Sequence, residues 1–142
     1  MISKSKKKPR GIRNNNPLNI RVGNDWIGEV DHPTDHTFEQ FRHMSYGVRA
    51  AFIVLHNYIT RHQLNTVPKI IKRWAPPYEN VTDRYIRNVC KRMNITDDVV
   101  IVWSNKSIML SLFQAMCIEE NGETIPMCQI EEGYDLADML YK

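Results

Sequence analysis

The sequence predicts an α+β domain that is mostly helical, and three observations support this fold class. Apolar residues recur at helical spacing in four or five separate segments. One short stretch around Gly23 and Asn24 alternates weakly, as a small β-hairpin would. The 142 residues are 42% hydrophobic and 25% charged, which is ordinary for one globular domain. We therefore expect a single domain over residues 10–142, preceded by a disordered basic arm over residues 1–9.

The N-terminal segment MISKSKKKPRG, which contains the basic arm, holds much of the positive charge in a chain of formal net charge +3. Such an arm can bind polyanions, but it is more often a solubilising end. Because no base-stacking motif or recognition helix accompanies it, we expect nucleic acid not to be a partner. The arm lacks an apolar core, so we expect synthesis in the cytoplasm without a signal peptide. No apolar run reaches the roughly 18 residues of a membrane span, so we expect no membrane insertion.

The first part of the domain combines a polar loop with the expected hairpin. The segment GIRNNNPLNIR is rich in turn-forming asparagines, whose amides also suit sugar hydroxyls and N-acetyl carbonyls. Each asparagine could equally serve a structural turn. The hairpin would join Asn19–Val22 to Asp25–Val30. Trp26 could either stack on a sugar ring or fill the core.

Capping residues and breakers place the helices that follow. Ser45 is a suitable N-cap for a long helix that runs to about Arg61, and Thr66 caps a shorter one with Pro68 in its first turn. Thr82 is the N-cap candidate of a third helix.

The C-terminal third is expected to begin with an extended run and to end in helix. Asp97 to Trp103 is β-branched and could be a strand or a connector. Ser104 or Asn105 then caps a helix that ends at Gly122, and a last helical piece covers Tyr134 to Tyr141.

The helix that ends at Gly122 presents the main candidate for chemistry. Four apolar residues and one acid share a stripe at i, i+3, i+4, i+7 and i+11, namely Met109, Leu112, Phe113, Met116 and Glu120. An acid at the rim of a core should have a raised pKa, as the general acid of glycoside cleavage requires. The alternative is a solvated last turn in which Glu119 and Glu120 face water.

The metal-binding residue types predict neither a metal site nor a cofactor. The spacing of Cys90, Cys117 and Cys128 fits no zinc pattern, and we expect core-filling thiols. His32 and His36 share a loop and could touch a metal, but a solvated role is favoured.

Five motifs together resemble one family of proteins. The chain contains GIRNNNPLNIR, WIGE, DHTFEQF, YGVRA and IIKRWAPPYENVT between Arg10 and about Gly133. It thereby resembles a family of small phage and prophage proteins of Gram-negative bacteria, often labelled structural virion proteins and thought to be lysozyme-like. The resemblance implies a lysozyme-like helical domain made in a bacterial cytoplasm. It also implies action in the periplasm or cell wall, or a place in the virion beside other virion proteins.

A more distant similarity concerns mechanism. The pattern N-N-x-x-N-I, then W-x-G, an acidic loop and F-x-x-F, is similar to the region after the catalytic helix of N-acetylglucosaminidases and lytic transglycosylases. Those enzymes carry their acid on a helix before this region, whereas here a comparable helix ends at Glu120 near the other end of the chain. We therefore expect a circularly permuted domain, because chain termini commonly lie close together.

This similarity implies a role for each candidate residue, with peptidoglycan as substrate. Glu120 would be the general acid and then the base, with Glu119 as the fallback. Asp35 is the first choice for a second carboxylate and Glu29 the next, although a transglycosylase needs none. Six side chains would bind the glycan: Asn14, Asn15, Asn19, Trp26, Tyr78 and Asn80. The competing hypothesis is a non-enzymatic virion component on the same scaffold.

Overall fold

A computed structural model describes residues 7–75 and 79–142 of the chain, with the backbone alone at residues 79 and 80. Within these ranges the protein is helical, which confirms the mostly helical part of the predicted class. The helices are α1 Arg10–Arg13, α2 Met44–Thr60, α3 Val67–Trp74, α4 Glu79–Met93, α5 Lys106–Asn121 and α6 Met127–Asp138, followed by a 3-10 turn, Met139–Tyr141. No helix in the described ranges has the length and apolar character that a bilayer crossing requires.

The predicted β-hairpin is wrong. Both of its expected strands pair with residues 37–42 instead of with each other, through isolated antiparallel bridges of Arg21 with Phe38 and of Glu29 with Phe41. A tight hairpin turn of type I′ needs a positive φ at both central residues. Gly23 has a φ of 154° and Asn24 is not among the residues with positive φ, so this turn does not form.

Two buried side chains explain the pairing that replaces the hairpin. The fully buried Asn16 amide donates to the carbonyl oxygens of Ile20 and Glu39, both at 3.0 Å. Phe41 is 2% exposed and belongs to the hydrophobic core. Pairing with residues 37–42 thus buries an aromatic ring and satisfies an amide, which an isolated hairpin would not do.

The core lies where α2 packs against α6 and α5. The Phe52 ring of α2 lies 4.7 Å from the Phe113 ring of α5 and 5.3 Å from the Tyr134 ring of α6, measured between centroids. Gly133 lets α6 approach α2 closely, since a Cβ at this position would lie 2.2 Å from Val48 Cγ1. These packed rings fix the position of α5, which carries the candidate acid.

The predicted boundaries of α5 and the cap of α3 are confirmed. Asn105 is the N-cap of α5 and accepts a hydrogen bond from the Ile108 backbone N–H at 3.2 Å. Gly122 ends α5 in the left-handed conformation, with a φ of 74°. The apolar stripe before Glu120 is buried as expected. Thr66 caps α3, with Pro68 in its first turn.

Three other boundaries differ from the prediction. His43 precedes α2 as its N-cap in place of Ser45. Thr82 lies inside α4, which begins at Glu79, so it is not a cap. The last helix begins at Met127, well before Tyr134. Residues 97–103 form a connector without strand pairing, which is one of the two alternatives that the sequence left open.

Candidate functional site

The Glu120 carboxyl lies at the C-terminal end of α5, against a loop from the other end of the chain. Asn19 donates a hydrogen bond from Nδ2 to Glu120 Oε1 at 2.9 Å. Asn19 has a φ of 54°, a left-handed conformation that asparagine tolerates better than most residues. The buried Tyr85 hydroxyl of α4 faces the same carboxyl. Glu120 is therefore half-buried between a loop and two helices and is not free in bulk solvent.

Burial raises the pKa of Glu120 above its ordinary value. The hydrogen bond from Asn19 and the neighbouring Tyr85 hydroxyl act in the opposite direction, and the negative charge of Glu119 adds to the increase. Desolvation dominates because the ionised carboxylate loses more hydration than two neutral donors replace. This carboxyl therefore holds its proton at higher pH than an exposed glutamate.

Glu120 opens onto a groove between α5, α3 and the loop after α1. A cavity of about 380 Å³ is lined by Asn19, Arg21, Phe38, Arg73, Trp74, Ala75 and Glu120. An adjoining cavity of about 210 Å³ is lined by Asn19, Ile20, Arg21, Val54, Tyr58, Arg73 and Trp74. Four residues line both cavities, so they form one groove, hereafter the Glu120 groove.

Glu119 is engaged elsewhere. Its Oε1 pairs with the Arg92 guanidinium and its Oε2 accepts from Asn88 Nδ2 at 3.2 Å, both on α4. These contacts tie α5 to α4. Glu119 does not line the Glu120 groove.

Asp35 holds the loop of residues 34–38 against α1. Its carboxylate accepts two bonds from Arg10, at Nε and Nη2, both at 2.7 Å. It also accepts from Asn14 Nδ2 at 2.9 Å and from the backbone N–H groups of Thr37 and Phe38 at 3.0 Å. The Arg10 hydrogen bond, with help from the other donors, holds the Asp35 pKa far below its usual range. Asp35 lines a separate cavity with Arg10 and Asn14, so the structure does not bring it into the groove with Glu120.

Glu29 lies in a different environment from Glu120 and Asp35. It neighbours Glu39, which is 7% exposed and whose Oε2 has no hydrogen-bond partner in the described part of the chain. Burial, together with the adjacent Glu29 and the charge of Asp25, raises the pKa of Glu39 to about 8. Sequence reasoning missed Glu39, because a glutamate between two phenylalanines gives no sign that it will be buried.

The predicted glycan-binding residues separate into two groups. Asn14 is buried and bonded to Asp35 and Gln40, and Asn15 donates to the Phe41 carbonyl oxygen at 3.0 Å. Trp26 is half-buried against the core. Asn19 alone of the described candidates lines the Glu120 groove. Tyr78 and the Asn80 side chain lie outside the described residues.

The groove also contains residues that sequence reasoning missed. Trp74 donates from Nε1 to the Leu18 carbonyl oxygen at 3.0 Å, which fixes its indole at the groove wall. Arg73 precedes it on α3, and Arg21 lies opposite, on the loop after Asn19. The adjacent basic and aromatic residues of KRW, placed before a proline pair, were the available signal.

The metal-ligand residue types do not converge in the described ranges. No group of three histidine, cysteine or acidic side chains there is placed to hold a metal ion. All three cysteines are free thiols, with Cys90 and Cys117 buried and Cys128 exposed. Cys90 and Cys117 thus fill the core as expected, whereas the expectation is wrong for Cys128, which is exposed on α6.

The fold and the groove define the class: a small helical domain that presents one half-buried carboxyl on a groove lined by amide, aromatic and guanidinium groups. The chain is 36% identical to Protein P5 of Pseudoalteromonas phage PM2 over 131 residues, which cover 89% of this chain and 80% of that protein. The chain therefore belongs to the family of phage PM2 Protein P5, and the phage part of the resemblance is confirmed. No protein-family model matches the chain.

Proposed function

We propose that this phage protein cleaves the glycan strands of peptidoglycan, with Glu120 as general acid and then base. The observation that supports the proposal is the position of one carboxyl with a raised pKa on a groove that also holds an amide and an indole. Such a groove suits a sugar chain, because indoles stack on pyranose faces and amides bind hydroxyl and N-acetyl groups.

In the proposed reaction Glu120 donates its proton to the glycosidic oxygen while the bond to the anomeric carbon breaks. Asn19 holds Oε1, which leaves Oε2 to carry the proton. The resulting carboxylate then accepts a proton from the hydroxyl that attacks the anomeric carbon. Asn19 and Tyr85 can stabilise this carboxylate at the moment when it forms.

The absence of a second described carboxylate at the groove favours a lytic transglycosylase over a two-carboxylate hydrolase. Among the side chains described there, Glu120 is the one acid, since Asp35 and Glu119 are bonded elsewhere. In a transglycosylase the 6-hydroxyl of the substrate attacks the anomeric carbon and closes an anhydro ring. The reaction then needs one residue that first gives and later takes a proton.

Contacts between the two ends of the chain support a permuted, lysozyme-like arrangement. The loop after α1 meets the end of α5 through the bond between Asn19 and Glu120, and Asn121 Nδ2 donates to the Pro17 carbonyl oxygen at 2.8 Å. These partners are more than 100 positions apart in sequence. An acid helix at the end of the chain thus reaches the loop that it would precede in an unpermuted enzyme.

The test is release of label from peptidoglycan by the wild type and by three glutamine variants. Glu120→Gln keeps the acceptor that Asn19 needs but cannot donate an acidic proton, so release should fall at least about 100-fold. Glu119→Gln tests the fallback, and Glu123→Gln is the matched control because Glu123 is exposed next to the same helix end. Chemical analysis of the products decides the reaction, since anhydro-muramic ends indicate a transglycosylase. Equal release by wild type and Glu120→Gln would reject the proposal.

The alternative is a virion component without catalytic activity. One observation favours it: Glu120 also joins the loop after α1 to α4 and α5, which is a structural task. In that case peptidoglycan release would be absent from every variant, while Glu120→Gln would lower thermal stability and the protein would assemble with other virion proteins.

A further inference from the structure

The Glu120 groove carries two arginines that form no ion pair with any carboxylate of the described residues. Arg21 and Arg73 are both exposed and line both cavities of the groove. The ion pairs within the described ranges involve other cations, and neither of these guanidiniums forms one. Their charge is therefore available to a ligand in the groove.

Aromatic rings hold both guanidiniums in place. The Arg21 Cζ lies 5.2 Å from the centroid of the Phe38 ring, and the Arg73 Cζ lies 6.0 Å from that of Tyr58. A cation over an aromatic face is attracted by the ring while its N–H groups stay free to donate. The groove thus presents two oriented cations, and binding an anion there requires little further ordering of the side chains.

The positions of the arginines relative to the acid restrict what they could bind. Glu120 lines one cavity and Tyr58 lines the other, while Arg21 and Arg73 line both. A chain that places its reacting bond at Glu120 would therefore extend its neighbouring groups past both guanidiniums. The ligand should be neutral at the acid and anionic beside it.

We propose that Arg21 and Arg73 bind the carboxylates of the peptide stems on peptidoglycan, so that the groove selects glycan with charged stems over glycan whose stems carry no free carboxylate. This inference rests on the proposed function and names the form of the substrate. A guanidinium donates two parallel hydrogen bonds to a carboxylate, which gives the pairing both strength and direction. A nucleic acid fits less well, because it would bring a line of phosphates past the Glu120 carboxyl, and two cations neutralise few of them.

The test measures binding separately from cleavage. Dissociation constants are determined by calorimetry for the Glu120→Gln full chain with two ligands: a glycan fragment that bears its peptide stems, and the same fragment after its stem carboxylates have been converted to neutral amides. The stem-bearing fragment should bind about tenfold more tightly, as one charge-assisted contact predicts.

Adding Arg21→Gln or Arg73→Gln should remove most of that preference and leave binding of the amidated fragment unchanged. Arg42→Gln and Lys72→Gln are the matched controls, because both residues are exposed but do not line the groove. Arg73→Lys, which keeps the charge but loses the planar fork, should give an intermediate affinity and guards against a variant that fails to fold.

Three results would overturn the inference. The first is equal affinity for the two fragments, and the second is an equal loss of affinity in the Lys72→Gln control. The third is tighter binding of a short single-stranded oligonucleotide than of the stem-bearing fragment, which would assign the arginines to phosphate. If the wild type cleaves peptidoglycan but shows no stem preference, this inference alone is rejected. If the stem preference depends on the arginines but the wild type does not cleave, the proposed function alone is rejected.

Discussion

Asp35→Asn tests whether this acid is structural, as its contacts indicate, or the second carboxylate that the sequence suggested. The Asp35 side chain is 8% exposed and accepts five hydrogen bonds. An asparagine can keep Oδ1 for the two backbone N–H groups of residues 37 and 38. Its Nδ2 would face Arg10 Nε and Asn14 Nδ2, so three hydrogen-bond donors would face one another without an acceptor.

The expected loss can be estimated from these contacts. Arg10 is about half exposed, at 49%, so solvent screens its ion pair and it can rehydrate. The main loss is then the buried Asn14 bond and the mismatch of donors, which together should lower the free energy of unfolding by about 2 kcal/mol. For a domain of this size that corresponds to a decrease of about 7 °C in Tm.

The effect should depend on pH in a defined direction. The folded-state pKa of Asp35 is lowered from the ordinary value of 3.8, so its contribution to stability is present above about pH 4. It is lost as pH falls through the folded pKa, where the wild type and Asp35→Asn should converge. Denaturant unfolding of both proteins should show a smaller difference at pH 3 than at pH 7, because protonation of the unfolded state begins to remove the contribution below about pH 4.

Asp31→Asn is the matched control, because Asp31 is exposed in the same loop. Its stability should equal that of the wild type. If Asp35→Asn unfolds like the wild type but loses cleavage activity, the structural interpretation of Asp35 is refuted and a catalytic role is favoured.

Two further predictions concern stability. Gly133→Ala should lower the free energy of unfolding by about 1–2 kcal/mol. The reason is that the new Cβ would lie 2.2 Å from Val48 Cγ1 and 3.1 Å from the Arg49 backbone nitrogen. If denaturant unfolding showed that the variant is more stable than the wild type, the close packing of α2 and α6 would be contradicted. Glu39→Gln should become more stable relative to the wild type as pH rises from 4.5 towards 8, because burial raises the folded-state pKa of Glu39 and ionisation then opposes folding. The difference in free energy of unfolding should grow steadily across that range, and a difference that does not change with pH would contradict the burial of this acid.

The helices could be predicted from sequence where local signals act alone. Asn105 and Gly122 bracket α5, and Thr66 starts α3, because capping depends on residues within one turn. The predicted cap at Thr82 was wrong because it rested on local chemistry alone. A threonine side chain suits an N-cap, but Thr82 is buried within α4. Local chemistry defines the places where a helix can begin, and tertiary packing selects among them.

The region between α1 and α2 could not be predicted, because its partners are distant in sequence. The hairpin signal at Gly23 and Asn24 is weak, while the pairing with residues 37–42 depends on the buried Asn16 amide and on Phe41. Each of these looks like an ordinary loop residue when its neighbours alone are considered. Long-range satisfaction of buried polar groups decided the outcome.

The candidate site was predictable in part. Helical periodicity placed Glu120 at the rim of the core, and the structure puts it beside Asn19 on a groove. Arg21, Arg73 and Trp74 were missed because they come from separate segments that meet when the chain folds. For the same reason the sequence could not show that Asp35 lies apart from Glu120. Arg10 holds Asp35 at another cavity.

The pKa of the Glu120 carboxyl is the most direct test of the central claim, and it can be measured by NMR titration of the side-chain carbon in the wild type. Burial predicts a midpoint above the ordinary value of 4.5, with Tyr85→Phe raising it further because the hydroxyl that faces the carboxylate is lost. A midpoint at or below 4.5 would mean that the carboxylate is well solvated or fully hydrogen-bonded. Glu120 could not then hold a proton for the glycosidic oxygen, and the account of a general acid would be contradicted.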